Sequence, residues 1–225
     1  MKREIIITKD GSPTLYIPEL DEHYHSIHGA IQEAQHVFIQ NGMNEFSSYD
    51  SISILEIGFG SGLNALLTAN ACLNYSNLHI TYIGLEAYPL ADQEQLAMDY
   101  ANQLEGSIIK DLQQKINLAP WDESTQIHAN FTLTKIKAKI EDIIFPKANF
   151  DIIYFDAFGP RAQPEMWTLP IFTKLYDLLN NNGLFVTYCA KGQVKRDLKS
   201  VGFSVESRPG PPGKREMTLA WKRIY

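Results

Sequence analysis

Two acids and three alternating glycines are the residues of this chain whose types and spacing best fit chemistry. Residues 55–64 read Leu-Glu-Ile-Gly-Phe-Gly-Ser-Gly-Leu-Asn, placing Glu56 two positions before Gly58, Gly60 and Gly62, and Asn64 two positions after them. The apolar run Ile52, Ile54, Leu55 and Ile57 reads as a buried strand, and Leu63, Leu66, Leu67 and Ala71 resume at helical spacing. A strand, a glycine turn and a helix in that order let backbone approach a nucleoside cofactor closely. A second strand-like run, Tyr82-Ile83-Gly84-Leu85, ends at Glu86, an acid placed to hold a ribose diol.

The glycine spacing selects the cofactor. A dinucleotide site uses G-x-G-x-x-G with a pyrophosphate on the helix N-terminus, whereas here the pattern is G-x-G-x-G. The Glu56 carboxylate would repel a pyrophosphate at short range. It suits a cationic head such as the amino group and sulfonium of S-adenosyl-L-methionine, and E-x-G-x-G-x-G followed by an acid on the next strand is the signature of Rossmann-like methyltransferases. The expected cofactor contacts are Glu56, Gly58, Gly60, Gly62, Asn64 and Glu86. The candidate catalytic group lies beyond the next central strand, in Phe155-Asp156-Ala157-Phe158-Gly159-Pro160. Open α/β sheets bind ligands beyond the carboxyl ends of their strands, so Asp156 is expected to orient an amine and take its proton while Phe158 packs on the substrate.

These residues need a sheet to position them. Short runs at 4–8 and 14–17 around Asp10-Gly11 read as a hairpin, and 27–40 carries one apolar helical face. Strands are expected at 52–57, 79–85, 127–134, 150–155 and 184–188, alternating with helices at 62–74, 89–104, 107–117, 137–144, 171–180 and 192–201. Asn181-Asn182-Gly183 reads as a left-handed helix cap. Strands 203–208 and 216–223 close the chain as an antiparallel hairpin. The expected fold is α/β, a class I Rossmann-like methyltransferase with a mostly parallel seven-stranded sheet. Residues 1–48 read as a β-hairpin and helix appendage, and 49–225 as the methyltransferase domain.

The 225 residues include two cysteines, Cys72 and Cys189, without metal-ligand spacing, which fits a reducing cytoplasm. His23, His25 and His28 lack the partners and spacing of a metal site, and none is expected. No apolar run approaches a membrane span, and no leader is read at the N-terminus. The net charge is −6, but residues 187–225 hold nine Lys/Arg against three acids, leaving the rest of the chain at −12. A basic end on an acidic protein is a footprint that could meet phosphates; a solvated polar face is the plainer alternative.

Four segments together resemble a known family. LEIGFGSGLN (55–64), FDAFGPRAQPEMWT (155–168), GKREM (213–217) and DEHYHSIHGAIQEAQHVFI (21–39) are similar to the methyltransferase half of MnmC-type tRNA enzymes, which form 5-methylaminomethyl-2-thiouridine and whose stand-alone members make up the DUF752 group. The resemblance implies methylation of the 5-aminomethyl group on a wobble uridine in tRNA, with Asp156 at the catalytic position, Glu86 at the ribose, and Lys214 and Arg215 near the RNA. Many members are fused to an FAD-dependent oxidoreductase that prepares the amine. No second glycine fingerprint occurs here, which implies a separate enzyme supplying that tRNA. The family's acid near the third strand, a G-D-like pair, is replaced by Ala138-Lys139, with Glu141 and Asp142 just beyond. Arg161 has no assigned role. Other readings are a class I methyltransferase acting on a small-molecule amine or a protein, and a non-catalytic RNA-binding relative; NAD chemistry is disfavoured by the glycine spacing.

Overall fold

The computed structural model describes residues 2–104, 106–146 and 148–223. Its centre is built from apolar runs too short for helices and flanked by turns: β4 (Ser51–Ile57), β5 (His79–Leu85), β7 (Phe131–Ile136), β8 (Phe150–Phe155) and β9 (Leu179–Thr187). These five pair in parallel in the order β9-β8-β4-β5-β7. The antiparallel hairpin of β10 (Ser204–Pro209) and β11 (Glu216–Trp221) joins beyond β9, with β11 as the inner strand.

Helices α2 (Leu63–Cys72) and α4 (Ile108–Leu118) cover one face, burying Leu66, Leu112 and Ile116 with Ile54, Tyr82 and Tyr154. Helices α5 (Leu169–Leu178) and α6 (Gly192–Val201) cover the other, packing Phe172 and Leu198 with Leu55, Phe155 and Phe185. Burial on both faces fits the continuous apolar runs of Ile152–Phe155 in β8 and Leu184–Val186 in β9, whereas β7 alternates, burying Phe131, Leu133 and Lys135. The register sets Ile57 beside both Leu85 and Phe155, so the residues after β4, β5 and β8 emerge side by side.

The mostly parallel sheet and its closing hairpin are as expected, with one strand more. The stretch read as a strand at 127–134 is two strands, β6 (Ser124–His128) and β7, paired antiparallel with His128 opposite Phe131. The helix expected at 137–144 does not form. Lys174 on α5 donates to the carbonyls of Ile140, Glu141 and Ile143, taking acceptors that a helix would use internally. The helix expected at 89–104 is reduced to α3 (Asp92–Ala97), because the Gln113 side chain accepts from the amides of Tyr100 and Ala101 and donates to the Met98 carbonyl. Asn181-Asn182-Gly183 lies inside β9 rather than capping α5. Asn182 has φ 62° at an irregularity of the pairing, and its amide donates to the Lys222 carbonyl.

At the N-terminus β1 (Glu4–Ile7) and β2 (Pro13–Ile17) form the expected hairpin, and a short β3 (Glu22–His23) adds to it. The following helix α1 (Ala30–Ala34) widens into a π-helical stretch, Gln35–Gln40. Among the described residues no helix is long and apolar enough to cross a membrane. Cys72 and Cys189 are buried free thiols.

Candidate active site

The ends of β4, β5 and β8 meet around the glycine turn. Gly58 has φ +89°, and a Cβ there would stand 2.6 Å from the Asp156 carbonyl oxygen, so only glycine lets the two loops approach. The amides of Gly58 and Phe59 donate to the Leu85 carbonyl, and the Asp156 amide donates to Ile57. Glu86 clasps the turn: its carboxylate accepts from the Gly60 amide at 2.9 Å and the Tyr88 amide at 2.8 Å. Gly62 has φ +78° at the start of α2, where it packs against Phe59 and Ile116.

These loops wall a cavity of ≈ 270 Å³ lined by Gly58, Gly60, Asn64, Glu86, Asp156 and Phe158 among others. Six of the residues expected from the sequence thus converge. Glu56 does not. It is 0% exposed and lies behind the wall, accepting hydrogen bonds from Asn64 at 2.8 Å and the Tyr82 hydroxyl at 2.7 Å. Burial raises its pKa well above the ordinary carboxylate value, so the charge expected beside a cationic cofactor is suppressed. Glu56 reaches the cavity only through Asn64, which also donates to Asp156 at 2.9 Å. Gly62 likewise shapes the turn from outside the cavity wall.

Asp156 presents part of its surface to the cavity while its carboxylate sits in a low-dielectric setting. Burial, reinforced by the negative charge of Glu33, pushes its pKa up to about 7; the Asn64 hydrogen bond and the Lys214 charge act in the opposite direction. Lys214, which the resemblance puts near the RNA, turns inward in the structure. Its ammonium pairs with Glu33 at 2.5 Å and lies 3.8 Å from the centre of the Tyr188 ring. A long side chain next to a buried carboxylate and an aromatic face is held inward because Glu33 cannot remain unpaired there. Arg215 is exposed and lines a second, wider basin of ≈ 770 Å³ with Arg161, Lys191, Tyr188 and Lys214.

The loop after β8 is rigidly held. Trp167 donates from its indole to the Phe158 carbonyl at 2.8 Å, Gln163 accepts from the Phe158 amide, and Tyr188 donates to the Ala157 carbonyl. Trp167 is therefore a packing residue that also fixes the loop. At the far end of the cavity the Ala138–Glu141 segment replaces the expected glycine–acid pair: Ala138, Lys139, Ile140 and Glu141 all line the wall.

Several site residues escaped the sequence reading. Arg3 and Tyr24 line the cavity from the N-terminal segment, while Glu33 and Tyr188 flank Asp156 electrostatically. Each meets its partners across long stretches of chain, so no local spacing marks it. Of His23, His25 and His28, His25 is half-buried beside Thr14, and desolvation lowers its pKa to about 4. Among the described residues no group of three His, Cys, Asp or Glu could hold a metal.

The cavity fits S-adenosyl-L-methionine. Glu86 at the end of β5 puts a carboxylate in the cavity wall, the glycine turn offers close backbone approach, and the buried Asn64 Oδ1 has no partner within the protein. An orphaned acceptor of that kind suits a cationic or N–H donor.

Comparison with known proteins agrees. A family described as S-adenosyl-L-methionine-dependent methyltransferases matches residues 97–223. The chain is 33% identical over 231 residues to the tRNA 5-methylaminomethyl-2-thiouridine biosynthesis bifunctional protein MnmC of Cupriavidus metallidurans, covering 96% of this chain and 33% of that protein. The MnmC of Magnetococcus marinus is 31% identical over 215 residues, covering 90% and 32%. The chain thus spans about a third of the length of the curated relatives it matches. Its fold matches the crystal structure of MNMC2 from Aquifex aeolicus with TM-score 0.76 at 23% identity, covering 100% of this chain and 72% of that one. It matches spermidine synthase from Thermotoga maritima with TM-score 0.60 at 15% identity, covering 99% and 70%. On the match across its C-terminal half and the glycine turn that walls its cavity, the chain belongs to the S-adenosyl-L-methionine-dependent methyltransferase family.

Proposed function

We propose that this protein is an N-methyltransferase that converts the 5-aminomethyl group of wobble (2-thio)uridine in tRNA to 5-methylaminomethyl. One observation carries the reading: Asp156, a carboxylate with its pKa near 7, stands where the loop at 156–163 separates the cofactor cavity from a basin edged by Arg161, Lys191 and Arg215. The MnmC relatives, named for tRNA 5-methylaminomethyl-2-thiouridine biosynthesis, support the substrate class.

Bound S-adenosyl-L-methionine supplies an electrophilic methyl carbon. The chain's residues do the rest. An aminomethyl group reaches the site protonated and must lose a proton to expose its lone pair. Asp156 is a base matched to that task near neutral pH. Asn64 fixes the orientation of the Asp156 carboxylate, and Trp167 and Gln163 fix Phe158 so that it bounds the space for the amine. Holding amine and methyl carbon in line converts a bimolecular encounter into an effectively unimolecular step. The cationic rim formed by Arg161, Lys191 and Arg215 suits the phosphates flanking a target nucleotide. A separate enzyme supplying aminomethyl-uridine tRNA, and a cytoplasmic setting, complete the proposal.

Purified protein, labelled S-adenosyl-L-methionine and tRNA bearing 5-aminomethyluridine are expected to yield 5-methylaminomethyluridine on nucleoside mass analysis. Absence of transfer to that tRNA, with transfer to small amines intact, overturns the substrate assignment.

A further inference from the structure

The N-terminal segment contributes Arg3, Ile17, Leu20, Tyr24 and His25 to the cavity wall. Tyr24 bridges the two loops that form the site. Its Cδ1 stands 3.3 Å from where a Gly60 Cβ would be, and its ring meets Phe158 edge-on, 5.2 Å between centroids at 83°. Its backbone amide donates to the Leu15 carbonyl, tying the segment that carries it to β2. Burial raises its phenol pKa to about 12. A neutral aromatic wall thus closes the space between the glycine turn and the Asp156 loop.

Arg3 stands beside it, with its guanidinium carbon 5.9 Å from the Tyr24 ring centre. Two of its three nitrogens are engaged: one pairs with Glu94 at 2.8 Å and another donates to the Tyr88 carbonyl at 2.9 Å. Glu94 is itself held by the Ala91 amide at the start of α3. The third nitrogen, Nε, is buried and has no partner within the protein, and the Arg3 side chain is only 11% exposed. Leaving such a donor unsatisfied is costly. Arg3 is among the residues that line the cavity.

We propose that Arg3 and Tyr24 are cofactor-binding residues, with Arg3 donating from Nε to an oxygen of S-adenosyl-L-methionine and Tyr24 covering the cofactor between Gly60 and Phe158. The N-terminal segment then completes the cofactor site. Two kinds of oxygen fit the donor, a ribose hydroxyl or the amino-acid carboxylate, and the ligand chosen for the test separates them.

The test is calorimetric binding of S-adenosyl-L-homocysteine and of 5′-methylthioadenosine to the full chain, without RNA, so its outcome is independent of the substrate assigned above. Arg3→Lys keeps the charge that pairs with Glu94 and removes Nε–H. It is expected to weaken S-adenosyl-L-homocysteine about tenfold. Equal weakening of both ligands assigns the ribose oxygen; weakening of S-adenosyl-L-homocysteine alone assigns the carboxylate. Tyr24→Ala is expected to weaken both by about tenfold or more, while Tyr24→Phe, which keeps the ring, stays near the parent. Parent-like affinity in both Arg3→Lys and Tyr24→Ala overturns the proposal. Should either variant unfold, hydrogen exchange on the unaltered protein decides: amides of residues 13–25 are expected to slow when S-adenosyl-L-homocysteine is added, and unchanged exchange there overturns it.

Discussion

The side-chain nitrogen of Asn64 donates to Asp156 at 2.9 Å and to Glu56 at 2.8 Å, so one neutral amide holds both carboxylates at the head of α2. The first faces the cavity and the second is sealed behind it. This pairing links a carboxylate on the cavity to one sealed away from it.

Asp156→Asn is expected to reduce methyl transfer by about 10² to 10⁴ while cofactor binding persists, because proton acceptance is lost and the shape is kept. In the unaltered protein, activity should rise with pH around the Asp156 pKa of about 7 as the carboxylate ionises. Stability should run the other way. A carboxyl whose pKa is raised on folding holds its proton in the native state and loses it in the unfolded chain, so stability falls as pH rises from about 4 to 7. The unaltered protein should therefore lose up to about 4 kcal/mol over that window through this group. Denaturant titrations of parent and Asp156→Asn at pH 4 and pH 8 read the difference; parallel curves refute it.

Glu56→Gln should leave cofactor affinity within a few-fold, since the side chain meets the cavity only through Asn64. Its raised pKa makes the ionised form the destabilising one, so the glutamine protein should be at least as stable as the parent at pH 8. Glu56→Ala is expected to cost about 2–4 kcal/mol, because Asn64 and Tyr82 each lose a buried partner. Thermal melts and calorimetry check both. A large loss of affinity in Glu56→Gln would return this acid to the cofactor.

At Gly58 the added methyl of alanine collides with the Asp156 carbonyl on a backbone at φ +89°. Gly58→Ala is expected to destabilise by more than about 1 kcal/mol from the backbone alone and to abolish cofactor binding by parting the β4 and β8 loops. Retained binding in a folded variant would contradict the close approach.

Lys214 and Arg215 should separate cleanly despite being neighbours. Arg215→Ala is expected to lower the salt dependence of tRNA binding by about one ion, as for a lost phosphate contact. Lys214→Met should act on chemistry: with its cation gone from beside Asp156, the activity–pH profile moves to higher pH. The same change leaves Glu33 buried without its ion-pair partner, so stability should drop as well. Equal salt slopes and equal pH profiles for the two variants would remove the distinction.

Much of this protein is legible in its sequence because the signals are local. The run from Ile52 to Ala71 encodes strand, turn and helix by spacing alone, and Gly58 and Gly60 announce a close approach to a ligand. Asp156 and Phe158 follow an apolar strand, and parallel strands in one sheet must deliver their ends to one edge. The sequence thereby determined the mostly parallel sheet, the cofactor class and six of the residues around the cavity. It could not show that Glu56 is sealed and uncharged, because burial depends on what Tyr82 and Asn64 contribute from other elements. Nor could it show that Lys214 turns inward to Glu33, 181 positions away, or that Arg3 and Tyr24 close the cavity from a hairpin that reads as an appendage. Lys174 removed a helix from 137–144 in the same way, by competing for its carbonyls across the fold. Periodicity and spacing act within a few residues of one another. Protonation state, pairing and enclosure arise only when distant segments share a low-dielectric volume, and that sharing was decided by the tertiary structure.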